Sequence, residues 1–283
     1  MTHNPVRHKV RSDRPFFLGL GILGSVYIIL IAAMLIADLS YMNTSSDDSL
    51  WSLFRTTFQS PEIRFAIKLS LISCTISTIL SLWVAVPIGY LMSRYRFPGK
   101  GFLDSLLDIP IVLPPLVVGL SLLILFATGP GKWFEEQFLA LTGSRITYAV
   151  PGVILAQFMV ACAFAVRTMR ATFDEITSRR EQVALTLGCS RSQAFWMVSL
   201  PEARDGLVVA ATLAWARALG EFGPILIFAG ATRMKTEVMP TTVFLEMSVG
   251  NIEAAVAVSL LMILAAVIVL SMVRLFGSER YIR

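Results

Sequence analysis

The sequence predicts an all-α, polytopic membrane protein with six transmembrane helices, and three observations lead there. Hydrophobic residues make up 55% of the 283 and charged residues only 15%, a balance that a soluble domain of this size does not sustain. Six separate segments each hold the roughly 20 mostly apolar residues that a bilayer crossing needs. The lysines and arginines, finally, concentrate on alternate connections between those segments, the pattern that fixes membrane topology.

Taken in order, the predicted spans are residues 16–38, 65–92, 103–127, 147–169, 206–230 and 251–275. The first follows Arg7, Lys9, Arg11 and Arg14, as a signal peptide would. Its apolar run is too long for a signal core and no small-residue cleavage site follows, so it reads as a retained helix. With no repeat or low-complexity stretch, residues 16–275 form one domain between a tail at 1–15 and a tail at 276–283. With the N-terminus in the cytoplasm, sixteen of the 24 Lys and Arg lie on the inner side, seven on the outer side, and Arg217 inside a span. That excess places both termini in the cytoplasm. The outer connections at about 39–62, 128–146 and 231–249 carry short apolar pieces, including Trp51 to Phe54 and Trp133-Phe134. Ordinary loop packing is the reading adopted for these, over interfacial helices at headgroup depth.

Composition also excludes some functions. The net charge of +5 is a topology signal, because no basic run is interleaved with exposed aromatics as nucleic-acid binding would require. Cys74, Cys162 and Cys189 have no paired spacing, and His3 and His8 lie in the basic tail; neither a disulfide nor a metal site is expected. There is no G-x-x-x-x-G-K-[ST] segment, so ATP is not held by a P-loop of this chain. No embedded Ser/His, Cys/His or carboxylate pair has catalytic spacing, and no cofactor is expected.

Two spans carry polar or helix-weakening residues. Arg217 and Glu221 sit about midway along the fifth, at an i, i+4 spacing that puts them on one face. Each would cost about 2.5–3.5 kcal/mol at a helix centre, so they partly neutralise each other. Either the face lines a path or dimer axis where Arg217 meets an anion, or the pair is a structural salt bridge. Pro114 and Pro115 in the third span, with Gly220, Gly223 and Pro224 in the fifth, weaken helical backbone where a hinge or gate for alternating access could lie. The run from Gly206 to Ala218, rich in alanine, allows close helix approach.

The most informative segment is the polar cytoplasmic connection at about 171–205, between the fourth and fifth spans. Two short helices are predicted in it. Ser178 and Glu181 have capping-box form, as do Ser190 and Gln193. Gly188 suits the left-handed stop after the first helix, and Pro201 is expected to end the second while restricting Leu200. Val183, Ala184 and Leu187 share one side of the first helix; Ala194, Phe195 and Val198 share one side of the second, with Trp196 and Met197 beside them. These apolar faces either pack under the bundle or insert into a groove on a partner protein.

This segment resembles the coupling region of ABC importer permeases, whose signature runs Glu-Ala-Ala, three residues, Gly, nine residues, an aliphatic, one residue, Leu-Pro. Gly188, Val198, Leu200 and Pro201 meet that spacing, and Gln182, Val183 and Ala184 take the leading positions. Gln182 stands where the family has Glu, with Glu181 one residue earlier. Asp108 to Gly119 and Ala216 to Gly223 resemble the oxyanion-importing branch, which covers molybdate, tungstate and sulfate permeases, and Thr236 to Pro240 resembles its outer loop. The likeness spans roughly residues 60–275. It implies the type I importer permease fold in the cell's inner membrane, a homodimer around a central path, cytoplasmic ABC ATPase subunits, and an external solute-binding protein. It also implies ATPase docking on this segment, to which Glu181, Gln182, Ala184, Gly188, Ser190, Phe195, Val198, Leu200 and Pro201 are assigned; the candidate path or gate residues remain those read from the spans themselves, Pro114, Pro115, Arg217, Glu221 and Gly223. Molybdate or tungstate is the expected cargo, with sulfate or thiosulfate as the alternative. A secondary carrier would be expected to show several embedded carboxylates or related halves, and Glu221 alone gives that reading thin support.

Overall fold

The structure is a computed structural model that describes residues 14–45 and 58–277. The basic tail, the Trp51 to Phe54 piece and the last six residues therefore lie outside the described residues. The chain divides into two units, Met1–Leu53 and Phe54–Arg283. In the first, α1 runs from Arg14 to Ser45 and contains the predicted first span. Its 32 residues make about 48 Å of helix at 1.5 Å per residue, ample for a bilayer.

The second unit is built on α2 (Pro61–Arg94) and α6 (Val150–Glu175), the predicted second and fourth spans. They pack along each other through small or branched side chains, among them Cys74, Ala85, Ala161 and Ala165. A buried polar stitch joins them: Ser77 Oγ donates to the Ile154 carbonyl at 2.9 Å and reaches Gln157 Oε1 at 3.3 Å. Apolar side chains alone give weak helix association in lipid, so small residues and interhelical hydrogen bonds do this task. The helix α10 (Arg204–Leu219) lies on both through Ala210, Ala214 and Ala218, all fully buried. The last helix, α13 (Ile252–Gly277), matches the sixth span.

The third and fifth predicted spans are not single rods. Residues 103–127 divide into α3 (Lys100–Val112) and α4 (Pro115–Ala127), bent by 112°. Leu113 and Pro114 between them are extended, with ψ 139° and 135°. A residue before proline is steered out of the helical region, and here two consecutive residues precede a proline. Two ion pairs tie α3 to α6, Arg167 with Asp108 and Arg170 with Asp104. The fifth span divides into α10 and α11 (Gly223–Phe228), with Gly220–Phe222 outside regular helix.

Two connections expected to be loops are helices. The helix α5 (Gly129–Thr142) has Pro130 in its first turn and Gly143 just past its end at φ 73°. Trp133 and Phe134 are exposed on it. The helix α12 (Met239–Ser248) repeats that arrangement with Pro240 and, two residues past its end, Gly250 at φ 81°. Proline near a helix start and glycine near its end are ordinary helix punctuation, so the loop reading of these segments is corrected.

Candidate functional site

At the end of the bundle where α2 and α6 finish and α10 begins, the insertion folds into α7 (Arg179–Thr186), α8 (Arg191–Ala194), one wide turn (Phe195–Ser199) and α9 (Leu200–Glu202). The Ser190–Gln193 capping box forms: Gln193 N donates to Ser190 Oγ at 3.2 Å, and Ser190 N donates to Gln193 Oε1 at 2.8 Å. The Ser178–Glu181 box does not form. Ser178 already has helical angles, φ −63° and ψ −12°, and makes no side-chain cap. Its intended partner is engaged elsewhere, because the Glu181 carboxylate turns toward α2.

There Glu181 Oε1 accepts from the Tyr90 hydroxyl. Its other oxygen accepts from Ser199 Oγ at 3.0 Å and lies 3.4 Å from Arg94 Nε, an ion pair in which both side chains are about one-eighth exposed. The Arg94 guanidinium also donates to the Ile176 carbonyl at the end of α6, at 2.9 Å. Around this pair the Tyr90 ring meets Phe173 of α6 and Phe195 of the insertion edge-on, at centroid distances of 5.5 and 4.7 Å.

Pro201 does not end the helical path as expected, nor is Leu200 pushed out of it. Leu200 keeps φ −70° and ψ −44°, and its N–H donates to the Phe195 carbonyl five residues back. A proline clashes with the carbonyl four residues before it; widening the preceding turn relieves that clash. The chain turns at Ala203 instead, φ −80° and ψ 0°.

The apolar faces of the insertion divide between the two readings that the sequence left open. Ala194 is fully buried and Phe195 packs inward. Val183, Leu187, Trp196 and Met197 point away from the bundle, Leu187 with 80% of its surface exposed. Beside them lies an open groove of about 530 Å³ lined by Thr177, Arg179, Arg180, Val183, Ala184, Leu187 and Val198. Gln182 and Ser190 are exposed on the same insertion. Gly188 joins the two short helices at φ 93°, with open space around any added Cβ. Glycine is needed there for conformation alone.

The second group of predicted residues is brought together in part: Gly223 is buried against the exposed Pro115, and Glu221 is buried beside a half-buried Arg217. The breaks at Pro114–Pro115 and Gly220–Phe222 abut: a Cβ on Gly223 would stand 3.0 Å from the Leu116 nitrogen and 3.2 Å from the Pro115 carbonyl carbon. A Cβ on Gly119 would stand 2.8 Å from Pro224 Cα. Close by in sequence, Arg217 and Glu221 form an ion pair at 2.9 Å. Glu221 is 1% exposed and Arg217 is 34% exposed. The guanidinium also lies 5.6 Å from the Phe164 ring centroid, a cation–π distance.

Sequence reading missed Tyr90 and Arg94, because nothing local marks a tyrosine near the end of an apolar span as a partner for a distant glutamate. It also missed a group of charged side chains just before and within α12. Glu237 is fully buried and accepts from Thr242 Oγ1 at 3.1 Å, while Arg233 pairs with Glu246 at 2.9 Å. Met239 N donates to Ser70 Oγ of α2 at 2.8 Å, fixing this segment to the bundle.

Residues 85–279 match the family described as the binding-protein-dependent transport system inner membrane component. The chain is similar to the sulfate transport system permease protein CysT of Salmonella typhimurium, 30% identical over 243 residues that cover 86% of this chain and 87% of that one. It is similar to the molybdenum transport system permease protein ModB of Mycobacterium tuberculosis, 33% identical over 219 residues covering 77% and 81%. In fold it resembles a chain of a bacterial ABC transporter involved in import of the acidic polysaccharide alginate, with TM-score 0.73 and 16% identity over 95% of this chain and 97% of that one. A bacterial alginate ABC transporter in complex with its alginate pentasaccharide-bound periplasmic protein gives TM-score 0.72 and 17% identity, covering 95% and 96%.

Proposed function

The chain belongs to the family of binding-protein-dependent transport system inner membrane components, and from that premise we propose that it passes a tetrahedral oxyanion through a homodimeric path driven by a cytoplasmic ATPase. It is the non-catalytic membrane subunit of an ABC importer. Nucleotide hydrolysis belongs to the partner, which grips the insertion at 171–205. The observation that carries this reading is the exposed apolar surface of Val183, Leu187, Trp196 and Met197 beside an open groove. An aliphatic and aromatic surface on an otherwise polar insertion favours a protein partner.

The proposed topology has both termini and the insertion in the cytoplasm, from the sixteen-to-seven distribution of cations. The gate is assigned to the abutting breaks at Pro114–Pro115 and just before Gly223, where each span is interrupted between two helices and its halves can change angle. Arg217, paired on one side and partly exposed on the other, meets the passing anion with a charge already half neutralised, so the ion is attracted without being held. ATP and the loaded binding protein then bias two packings of the bundle.

Molybdate or tungstate is the first cargo assigned, supported by the Mycobacterium tuberculosis relative; sulfate is the second, supported by the Salmonella typhimurium relative. Uptake of labelled molybdate into proteoliposomes containing the permease, its ATPase and its binding protein tests the reading. Accumulation is expected with MgATP and no ion gradient, and competition by sulfate ranks the cargoes. Accumulation driven by a proton or sodium gradient without ATP identifies an ion-coupled carrier and overturns the proposal.

A further inference from the structure

We infer that Glu181 is a positioning residue that locks the coupling insertion to the end of α2, so that a push on the insertion is delivered to that helix. This deepens, and rests on, the reading of the insertion as the surface an ATPase grips. Glu181 is one residue ahead of Gln182, and one residue along a helix turns a side chain by about 100°. Gln182 accordingly faces outward and Glu181 inward.

The partners of the carboxylate come from two other segments. The Tyr90 hydroxyl and Arg94 Nε belong to α2, and Ser199 Oγ to the wide turn before Pro201. Arg94 extends the link to the carbonyl of Ile176, where α6 ends. Glu181 is only 12% exposed and both its oxygens are engaged, which leaves it little surface to offer a second protein. The Phe173, Tyr90 and Phe195 rings stack edge-on across the same three segments. A half-buried carboxylate with several fixed partners rigidifies its surroundings and favours one arrangement. Coupling between distant sites is carried by packed side chains and hydrogen-bond networks, and this cluster provides such a connection from the insertion into α2.

The test uses the assembled transporter in proteoliposomes, with Glu181→Gln and Tyr90→Phe as variants. The second removes one hydroxyl and keeps the ring stack, so it stays informative if the first folds poorly. Both variants are expected to co-purify with the ATPase as the parent does. Both are expected to hydrolyse about 5-fold more ATP per ion taken up, in the range by which changes along a coupling chain alter linkage. A merely structural contact would lower both quantities together and leave their ratio alone, so an unchanged ratio in both variants overturns the inference. Loss of the ATPase from Glu181→Gln also overturns it, by making Glu181 a docking contact. Trp196→Asp separates the two ideas: it should shed the ATPase, and its retention would defeat the docking reading itself.

Discussion

Gly223 lies so close to Leu116 that a Cβ added to it would stand 3.0 Å from the Leu116 backbone nitrogen. Backbone atoms cannot swing aside as a side-chain tip can, so α4 and α11 must separate to admit even a methyl group. The contact therefore sets how tightly the two interrupted spans close on each other. Overpacking of this kind costs about 1–3 kcal/mol. Gly223→Ala is expected to lower the melting temperature of the purified transporter and to reduce uptake. Unchanged uptake in that variant would remove the α4–α11 contact from the gate.

Arg217→Ala leaves Glu221, 1% exposed, without its counter-charge. Stripping one partner from a fully buried pair costs about 3–5 kcal/mol, and the loss here falls below that because Arg217 is 34% exposed. The variant is expected to melt at lower temperature, and Arg217→Lys is expected to restore stability more fully than uptake. Equal recovery of both properties in Arg217→Lys would make the pair structural and take Arg217 off the path.

Gly188→Ala makes no clash, yet it holds alanine at φ 93°, at a cost of about 1–2 kcal/mol. The joint between α7 and α8 should reshape while the rest of the bundle is untouched. Membrane insertion should be normal, with transport and binding-protein-stimulated ATP hydrolysis lost. Normal coupling in the variant would argue against a tight requirement on this joint.

Burial pushes the carboxyl of Glu237 above the usual range, against the opposing effects of Thr242 and Arg233. A carboxyl raised in the folded state contributes stability below its unfolded pKa and loses it as pH rises through the folded pKa. Glu237→Gln removes that loss. The variant should gain most over the parent in melting temperature on the alkaline side and least in acid. A gain that is flat with pH would show that Glu237 does not titrate in this way.

The parts of this fold that were legible in the sequence rest on local chemistry. Ser190 and Gln193 form their box because both partners lie within one turn, and Gly188 takes the left-handed conformation its position demands. The breaks in the third and fifth spans were marked by prolines and glycines, though the 112° bend also depends on what α3 packs against, here Arg167 and Arg170. For α5 and α12 the signal was present in Pro130 with Gly143 and Pro240 with Gly250, and the short apolar runs beside it masked it. Glu181 was not legible. Its local prospect was a cap with Ser178, and the side chains that outcompete Ser178, Tyr90 and Arg94, come from another helix.

The central claim, that a cytoplasmic ATPase seats on the insertion, is tested most directly by a photo-reactive residue placed at position 187, where the native leucine is 80% exposed. Illumination of the assembled transporter in intact membranes should yield one adduct containing the permease and the ATPase, and the same position should resist a membrane-impermeant label applied outside the cell. Labelling from outside, or illumination that never joins the two chains, would contradict the account.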